Sequence, residues 1–276
     1  MAQSPYETDP GVLRDGLTNP NVNLFEHMVN WPRFKAMLPL SANRVLDFGC
    51  GAGNFTEELA TLYPDAEVVG VDAAEAMLPE EIALTNLDFK VWDGRMPLDS
   101  EHFDLIVAKM SLHYLDETEF RAVVANICRL LTENGTVAIS VPHPANVWPR
   151  NEAKRDRHSA YHHPGNYKRL IGSTGIQGTM VHRSMCDLIE PFHARLCRGW
   201  DSMAFDEPVD KNNMPKRLNI FFLPKGSEEI LEMYERLRLV EQGVRHEEVF
   251  LVDMDTPEGR HVLNGSYLRP TRQPLP

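Results

Sequence analysis

Three glycines at alternate positions are the residues whose spacing most directly suggests chemistry. Gly49, Gly51 and Gly53 follow the apolar segment 44–48 and precede a segment with helical periodicity. A strand that enters a tight turn and then a helix directs backbone N–H groups at a ligand, and glycine permits both positive φ and close approach of that ligand. Asp47 adds a negative charge beneath the turn. The turn therefore predicts a site that suits a cation or an amine better than a pyrophosphate.

The spacing within the turn argues against a dinucleotide. Dinucleotide-binding turns follow the pattern G-x-G-x-x-G. Here Asn54 occupies the position of the third glycine and Gly53 comes one residue early. Cys50 lies inside the turn, where the need for a small side chain explains it better than a nucleophilic role does. NAD is therefore disfavoured as the ligand.

Two further acidic residues follow apolar segments later in the chain. Asp72 ends the β-branched segment 67–71, and a carboxylate about 20 residues beyond such a turn can accept hydrogen bonds from both hydroxyls of a ribose. Its charge would also repel a 2′-phosphate, which disfavours NADP. Asp93 and Gly94 follow the segment 87–92 in the same way. The pattern favours a ligand that carries an unphosphorylated ribose.

The segment from Asp47 to Gly53, Asp-Phe-Gly-Cys-Gly-Ala-Gly, resembles motif I of the class I S-adenosylmethionine (SAM)-dependent methyltransferases. The resemblance implies that Asp72 binds the ribose of SAM and that Asp93 accepts from its adenine amino group. It also implies that Met77 packs on the adenine, although an ordinary core methionine fits the pattern equally well. The cofactor-binding residues that it implies are Asp47, Gly49, Cys50, Gly51, Gly53, Asp72, Ala73, Met77, Asp93, Gly94, Lys109 and His113.

Apolar strands that alternate with amphipathic helices must position these residues. We predict strands at 44–48, 67–71, 87–92, 103–110 and 136–141, and helices at 56–62 and 117–131. Segments 194–205 and 217–223 supply two more strands, and the resemblance implies that the last one is antiparallel. The predicted fold is α/β: a doubly wound, mostly parallel seven-stranded sheet of the Rossmann-like class I methyltransferase type. The residues named above fall at the carboxyl ends of its strands, where such sheets bind ligands.

The chain divides into a core with an extension at each end. We predict an N-terminal arm and helical lid over 1–40, a SAM-binding domain over 41–224, and a C-terminal helix and tail over 225–276. Prolines and glycines with few apolar residues predict a mobile or extended arm over 1–20, and the periodicity of 23–38 predicts one helix or two short ones. This helical segment either covers the cofactor or packs on the edge of the sheet. The tail could serve dimerisation, pocket closure or packing.

Histidines are concentrated after the fifth predicted strand. The polar, glycine- and proline-rich insertion at 143–180 follows that strand, and we predict that it forms the pocket for the methyl acceptor. His143 and His182 match small-molecule members of the family, which implies a general base or a substrate contact. The resemblance implies a helix over 181–192 whose start opens onto this pocket. Tyr161 could line the sulfonium site or orient the substrate.

Two cationic residues have two interpretations each. Lys109 occupies a position where the family more often has a small residue, so it either pairs with a substrate carboxylate or extends to Asp47 or solvent. Arg183 either clamps a carboxylate in a bidentate fashion or forms a surface ion pair. The candidate catalytic residues are therefore His143, His182, Tyr161 and Lys109.

Composition favours a small-molecule partner. The formal net charge of −12 disfavours a surface for nucleic acid or anionic membrane. No segment resembles a targeting peptide or a membrane span, so we expect a cytoplasmic protein. The four cysteines include no C-x-x-C pair, and His162 and His163 are adjacent with no H-x-x-x-H pair and carboxylate, so neither a disulfide framework nor a metal site is predicted.

We predict SAM-dependent transfer of a methyl group to an O, N or C atom of a small metabolite. One alternative keeps the fold but has the amine of SAM close a ring, which releases methylthioadenosine. Another is a SAM-binding regulatory subunit without chemistry, although the loop glycines and the acidic ribose contact are intact. Nucleic-acid methylation is disfavoured because no Asn/Asp-Pro-Pro-Tyr/Phe motif follows the fourth strand. A homodimer is compatible with the sequence.

Overall fold

The computed structural model describes residues 5–18, 26, 30–96, 102–144, 165–171, 174–196, 200–206, 217–224, 232–233 and 236. Contacts group the chain into two compact units. The first comprises 1–24 and 41–226, and the second comprises 25–40 and 227–276. Every residue of the candidate site described below belongs to the first unit.

A seven-stranded sheet forms the centre of the first unit. Its strands are β1 (Arg44–Phe48), β2 (Glu67–Asp72), β3 (Leu87–Val91), β4 (Phe103–Lys109), β5 (Leu131–Pro142), β8 (Trp200–Asp206) and β9 (Arg217–Pro224). Their order is β3-β2-β1-β4-β5-β9-β8. The first five strands are parallel to one another, whereas β9 is antiparallel to both β5 and β8. The predicted doubly wound, mostly parallel seven-stranded sheet is therefore confirmed.

Three helices pack against this sheet: α4 (Asn54–Leu62), α5 (Glu117–Leu130) and α6 (Met185–Leu196). Asp116 begins α5 with a capping box, in which its side chain accepts from the Glu119 backbone and Glu119 accepts from the Asp116 backbone. Phe192 of α6 stacks on Phe222 of β9 with ring centroids 4.6 Å apart, and it meets Phe120 of α5 edge to face at 6.5 Å. Apolar residues at helical spacing thus join both helices to one core.

The N-terminal residues differ from the prediction of an extended arm. They form α1 (Pro5–Thr8) and α2 (Pro10–Thr18). Each helix begins with a proline, because the first helical position needs no N–H donor and proline already has the helical φ. Leu13 is fully buried in a cluster with Ala74, Met77 and Ile171. The prolines therefore mark helix starts, and the prediction of an extended arm was wrong.

The insertion after β5 is more regular than predicted. Strands β6 (Gly165–Leu170) and β7 (Gln177–His182) form an antiparallel pair, where a loop-rich region was expected. The helix predicted over 181–192 begins only at Met185, because Ser184 acts as its cap: its Oγ accepts from the Asp187 backbone N–H at 3.2 Å and donates to the Asp187 carboxylate at 2.7 Å. That helix extends to Leu196, so residues 194–196, predicted as strand, are helical and β8 begins at Trp200.

The second unit is described over a short part of its length. Helix α3 (Trp31–Ala36) lies within the segment that was predicted to be helical. The buried guanidinium of Arg236 donates to the carbonyls of Ala36 at 3.0 Å and Leu38 at 2.8 Å, which satisfies the end of that helix. In the part of the chain that the structure describes, no helix has the length and apolar character needed to cross a membrane.

Candidate cofactor and acceptor site

The glycine turn is tied to the neighbouring strand. The backbone N–H groups of Gly49 and Cys50 both donate to the carbonyl of Val71 in β2, at 2.8 and 3.0 Å. Gly49, Gly51 and Gly53 have φ values of 73°, 56° and 83°, so all three adopt the left-handed conformation that favours glycine. The strand, turn and helix therefore follow one another as the spacing predicted.

The surroundings of the three glycines differ. A Cβ atom at Gly49 would collide with Cβ of Ser111, and one at Gly53 would lie 2.7 Å from the side chains of Phe89 and Pro79. A Cβ atom at Gly51 would meet only the terminal methyl group of Met77, at 3.9 Å. Packing within the protein thus requires glycine at the two outer positions, whereas among the described residues nothing lies closer to a Cβ atom at Gly51 than the Met77 methyl group.

Asp47 is a buried carboxylate beneath the turn. Its Oδ2 accepts from the Thr56 hydroxyl at 2.8 Å. Burial raises the pKa of Asp47 to about 6, against the lowering effects of the Thr56 hydrogen bond and the Lys109 charge. The Lys109 ammonium lies 5.2 Å from the ring centroid of Phe55, at the start of α4. Lys109 is therefore placed beside the turn, as in the interpretation in which it extends to Asp47.

Asp72 joins the end of β2 to the turn. Its Oδ2 accepts from the Gly51 backbone N–H and its Oδ1 from that of Ala74, each at 2.9 Å. Burial raises the pKa of Asp72, and the backbone hydrogen bonds partly offset this. Each carboxylate oxygen retains a second lone pair, so the carboxylate can still accept from a ribose. Ala73, next in the chain, is exposed.

Met77 and Cys50 complete the wall of the turn. Met77 lies in the 3₁₀ helix η1 (Glu75–Met77), is fully buried, and packs in the cluster that includes Leu13. Its terminal methyl group nevertheless borders the space above Gly51, so it is both a core residue and a wall of the candidate site. Burial raises the pKa of the Cys50 thiol, which leaves the thiol protonated near neutral pH and agrees with its interpretation as a small residue.

Asp93 and Gly94 follow β3 and are held by other parts of the protein. The Asp93 carboxylate accepts from Arg95 Nε at 2.7 Å, and Arg95 also contacts Glu119 at 3.2 Å. Burial raises the pKa of Asp93, but Arg95 lowers it further, so the net pKa lies below the ordinary value. The Gly94 carbonyl accepts from Asn126 Nδ2 at 2.6 Å. An adenine amino group would therefore share the Asp93 carboxylate with Arg95.

A separate pocket lies at the carboxyl ends of β4 and β5, beside β7. Its lining residues are His113, Val141, Pro142, Pro144, Tyr167, Val181, His182, Arg183 and Leu188. The lining therefore includes His182, as predicted for the acceptor side, together with His113, which was predicted to bind the cofactor. His143 is buried between Pro142 and Pro144 but does not belong to this lining. Tyr161 lies outside the described residues.

Arg183 holds the two histidines of the pocket together. It follows His182 at the end of β7, and its guanidinium donates to the carbonyl of Leu115 at 2.8 Å and to that of Leu112 at 3.5 Å. These two carbonyls flank His113 in the chain. The guanidinium also stacks 4.2 Å above the ring centroid of Phe120. Its Nε also lies 3.6 Å from the carboxylate of the exposed Glu117, so the ion pair that one interpretation predicted is present. The buried guanidinium in addition fastens β7 to the 3₁₀ helix η2 (Leu112–Tyr114).

The segment 111–115 connects the pocket to the glycine turn. The Ser111 hydroxyl donates to the carbonyl of Phe48 at 2.9 Å and abuts Gly49. Two residues later His113 lines the pocket. Tyr114 then receives a hydrogen bond at 2.7 Å from the hydroxyl of Tyr6 in α1. The glycine turn and the pocket are therefore both in contact with this one short segment.

Sequence reasoning missed Tyr6. Burial is the main cause that raises the pKa of the Tyr6 hydroxyl, and the nearby charge of Asp72 contributes to the increase. The apolar positions Tyr6, Leu13 and Leu17 recur at helical spacing and pack on the cluster around Met77. That periodicity could have identified the N-terminal helices as a cover for this edge of the sheet.

Within the described ranges, no group of three or more His, Cys, Asp or Glu side chains could hold a metal ion. The described residues thus comprise a glycine turn with two buried carboxylates and a pocket lined by nitrogen side chains.

Comparisons with known proteins agree with this arrangement. Residues 45–135 match the family model described as a methyltransferase domain. The chain is 31% identical over 116 residues to a malonyl-(acyl-carrier protein) O-methyltransferase of Legionella pneumophila, a match that covers 39% of each chain. It is 36% identical over 109 residues to a trans-aconitate 2-methyltransferase of Methylobacterium radiotolerans, which covers 39% of this chain and 41% of the relative. The matches thus span about two fifths of these relatives.

A solved structure supports the fold over a longer range. The S-adenosylmethionine-dependent methyltransferase of Mesorhizobium loti superposes with a TM-score of 0.55 at 19% identity, over 72% of this chain and 99% of that one. At this identity the likeness concerns the fold. Residues 45–135 therefore match a methyltransferase-domain model, and the chain shares the fold of this solved SAM-dependent methyltransferase.

Proposed function

We propose that this protein transfers the methyl group of SAM to a small molecule. The single observation that carries the proposal is the surroundings of Gly51: its N–H donates to the Asp72 carboxylate at 2.9 Å, and among the described residues a Cβ atom there would meet only the Met77 methyl group, at 3.9 Å. A ribose fits the two acceptor oxygens of Asp72, an adenine fits the hydrocarbon of Met77, and a cationic amino acid group suits the buried charge of Asp47. SAM, when bound, supplies a methyl group on a positively charged sulfur.

The residues of this chain supply binding, orientation and exclusion of water. The turn fixes the position of the methyl donor, and the neighbouring pocket fixes that of the acceptor. Binding therefore holds the reacting groups in proximity and in the orientation that transfer requires. Apolar side chains line much of the pocket, which excludes water and strengthens the electrostatic interactions inside. The known substrates of the relatives, malonyl-acyl-carrier protein and trans-aconitate by their names, are consistent with an O-methylation.

Calorimetric titration with S-adenosylhomocysteine (SAH) tests the proposal. We expect binding with a Kd on the order of micromolar, and a loss of at least tenfold in Asp72→Ala, since two hydrogen bonds to an ionised acceptor disappear. His102→Gln, at an exposed position, is the matched control and should bind as the wild type does. Absence of any SAH binding would contradict the proposal.

Product analysis separates methyl transfer from other uses of SAM. Incubation with SAM and an acceptor should yield SAH. Release of methylthioadenosine without SAH would instead indicate the intramolecular cyclisation, and binding without turnover on any acceptor would favour the regulatory subunit.

A further inference from the structure

We propose that the pocket binds an organic oxyanion, a carboxylate or a phosphonate, and that the methyl group is added to an oxygen of that anion. The inference rests on the proposed methyl transfer and names the chemical class of its acceptor.

The charge of the lining carries the inference. Three of its nine residues, His113, His182 and Arg183, bear side chains that are positive or can become so, and none of the nine is Asp or Glu. Each of the three is only 4% exposed. The Arg183 charge is paired with the Glu117 carboxylate at 3.6 Å, which leaves the two imidazoles to face a ligand. A cationic amine would find no carboxylate in the lining itself, whereas an oxyanion would gain donors from the imidazoles. The lining therefore selects for a negative acceptor.

The geometry makes the two imidazoles act on one ligand. Arg183 donates to the carbonyls of Leu112 and Leu115, and this brings β7, which ends at His182, beside η2, which carries His113. Both terminal nitrogens of Arg183 donate to these backbone carbonyls, so we assign Arg183 as a positioning residue. His113 and His182 are the residues that we assign to contact the anion, through ring N–H groups.

The remaining lining suits the rest of such a molecule. Hydrocarbon from Val141, Pro142, Pro144, Val181 and Leu188 surrounds the nitrogen side chains. An acid with a short carbon skeleton would place its anionic end on the histidines and its apolar part on these residues.

Methylation of an oxyanion requires no base. The acceptor oxygen supplies the electron pair of the new O–CH₃ bond, while the bond between the methyl group and sulfur breaks and leaves its electron pair on sulfur. The acid loses one negative charge and becomes an ester, and no proton moves. His182 then acts as a hydrogen-bond donor, a role different from the general base that the sequence suggested.

Acceptors matched in chain length test the proposal, with phosphorus in place of the terminal carbon in the phosphonates. One set is cinnamate, cinnamyl alcohol, cinnamylamine and 2-phenylvinylphosphonate; the other is butanoate, 1-butanol, butylamine and propylphosphonate. Each compound is titrated calorimetrically into the protein saturated with SAH. In at least one set we expect the carboxylate or the phosphonate to bind about tenfold tighter than the alcohol and the amine. The tighter of the two acids identifies the oxyanion.

Variants of the histidines test the contact. His182→Phe and His113→Phe keep a buried ring but lose the donors, so the Kd of the acid should rise about tenfold while the Kd of the matched alcohol stays within about twofold. His182→Gln retains a donor and should restore part of the affinity for the acid. With SAM present, KM for the acid should follow its Kd, and mass spectrometry should detect the ester.

The outcomes separate this inference from the proposed function. If SAH binds but the alcohol or amine binds as tightly as its matched acid, or no acid of either set binds, the acceptor class is wrong and the methyltransferase proposal stands. If SAH itself does not bind the wild-type protein, the proposed function fails first. Unchanged affinity for the acid in both phenylalanine variants also overturns the assignment.

Discussion

Two buried carboxylates, Asp47 and Asp72, lie beneath the glycine turn, and each is held by a different kind of donor. Asp72 accepts from backbone N–H groups of the turn and of the residues that follow β2, whereas Asp47 accepts from the Thr56 hydroxyl. The inner side of the turn therefore carries two carboxylates, and the Lys109 charge partly balances that of Asp47. A ligand with a positive group would relieve the repulsion between the two carboxylates.

The first residue-scale prediction concerns the pH dependence of Asp47. Its folded pKa of about 6 lies above the ordinary value of 3.8, so the folded protein keeps a proton that the unfolded chain has lost. The contribution of this group to the free energy of unfolding is thus fully present below about pH 4 and is lost as the pH rises through about 6. Binding of a cationic ligand favours the ionised form, so affinity for SAM should increase from pH 5 to pH 7.

Calorimetry with SAM across that range, on the wild type and on Asp47→Asn, checks this prediction. The variant should lose most of the increase. An equally steep increase in Asp47→Asn would assign the titration to another group, such as Asp72, whose pKa burial also raises.

The second residue-scale prediction separates the glycines. Alanine at any of the three adopts an unfavourable positive φ at about 1 kcal/mol, and at Gly49 and Gly53 it also collides with neighbouring side chains, which adds about 1–3 kcal/mol. Gly51→Ala should therefore lower Tm least of the three variants. Its loss of SAH affinity relative to its loss of stability should nevertheless be the largest. Thermal unfolding and calorimetry of the three variants measure both. Equal ratios of affinity loss to stability loss would contradict a ligand role for Gly51.

At the scale of the elements, the sequence predicts what is local or strongly periodic. The central parts of the parallel strands β1, β4 and β5 are buried on both faces and mostly apolar, so their positions follow from composition. The start of β5 at Leu131 was missed, because residues 132–134 are polar and partly or fully exposed. Strands β6 and β7 were missed because glycine and polar residues dominate them, as in a loop, and only their mutual pairing makes them strands. The turn residues were predicted because they are contiguous. The meeting of His113 with His182 was not, because it depends on hydrogen bonds from Arg183 to carbonyls far away in the chain.

The N-terminal helices give the first element-scale prediction. Leu13 is fully buried against η1, whereas its neighbour Val12 is 52% exposed. Leu13→Ala should lower the free energy of local unfolding by about 2–5 kcal/mol and release α1 and α2. Val12→Ala is the matched control and should change the free energy of unfolding by no more than about 0.5 kcal/mol. Limited proteolysis at the N-terminus and Tm report the difference. Identical proteolysis of the two variants would show that Leu13 does not anchor these helices.

The hydrogen bonds by which Arg183 holds β7 to η2 give the second element-scale prediction. Lysine cannot form the forked hydrogen bonds of Arg183, so Arg183→Lys should cost about 1.5–3 kcal/mol and speed amide exchange in η2. Arg121→Lys is the control, because Arg121 pairs with the same Glu117 at an exposed position and such pairs contribute about 0.3–0.5 kcal/mol. Hydrogen exchange followed by mass spectrometry measures both. Unchanged exchange in Arg183→Lys would contradict the fastening role.

On the scale of the whole molecule, stability is concentrated in the centre of the sheet and chemistry at one of its edges. Residues 105–108 of β4 are completely buried and lie between β1 and β5. The two-stranded pair β6–β7 forms its own small sheet with several exposed residues. The scaffold can therefore stay folded while the walls of the site open.

Native-state hydrogen exchange should display this gradient. Amides of residues 105–108 should exchange only through global unfolding, whereas those of β6–β7 should exchange through local opening at a free energy several kcal/mol lower. A bound acceptor acid should slow exchange in β6–β7 and leave residues 105–108 unchanged. Equal protection of both regions in the free protein would show that the walls of the site unfold with the scaffold.

The short wall formed by residues 111–115 has a thermodynamic consequence. Because Ser111 abuts the glycine turn and His113 lines the pocket, a shift of this segment alters both compartments together. The two occupants are then linked: the factor by which the first strengthens or weakens binding of the second is the same whichever of them arrives first. Order of addition would change the rates at which the ternary complex assembles and leave its total free energy unaltered.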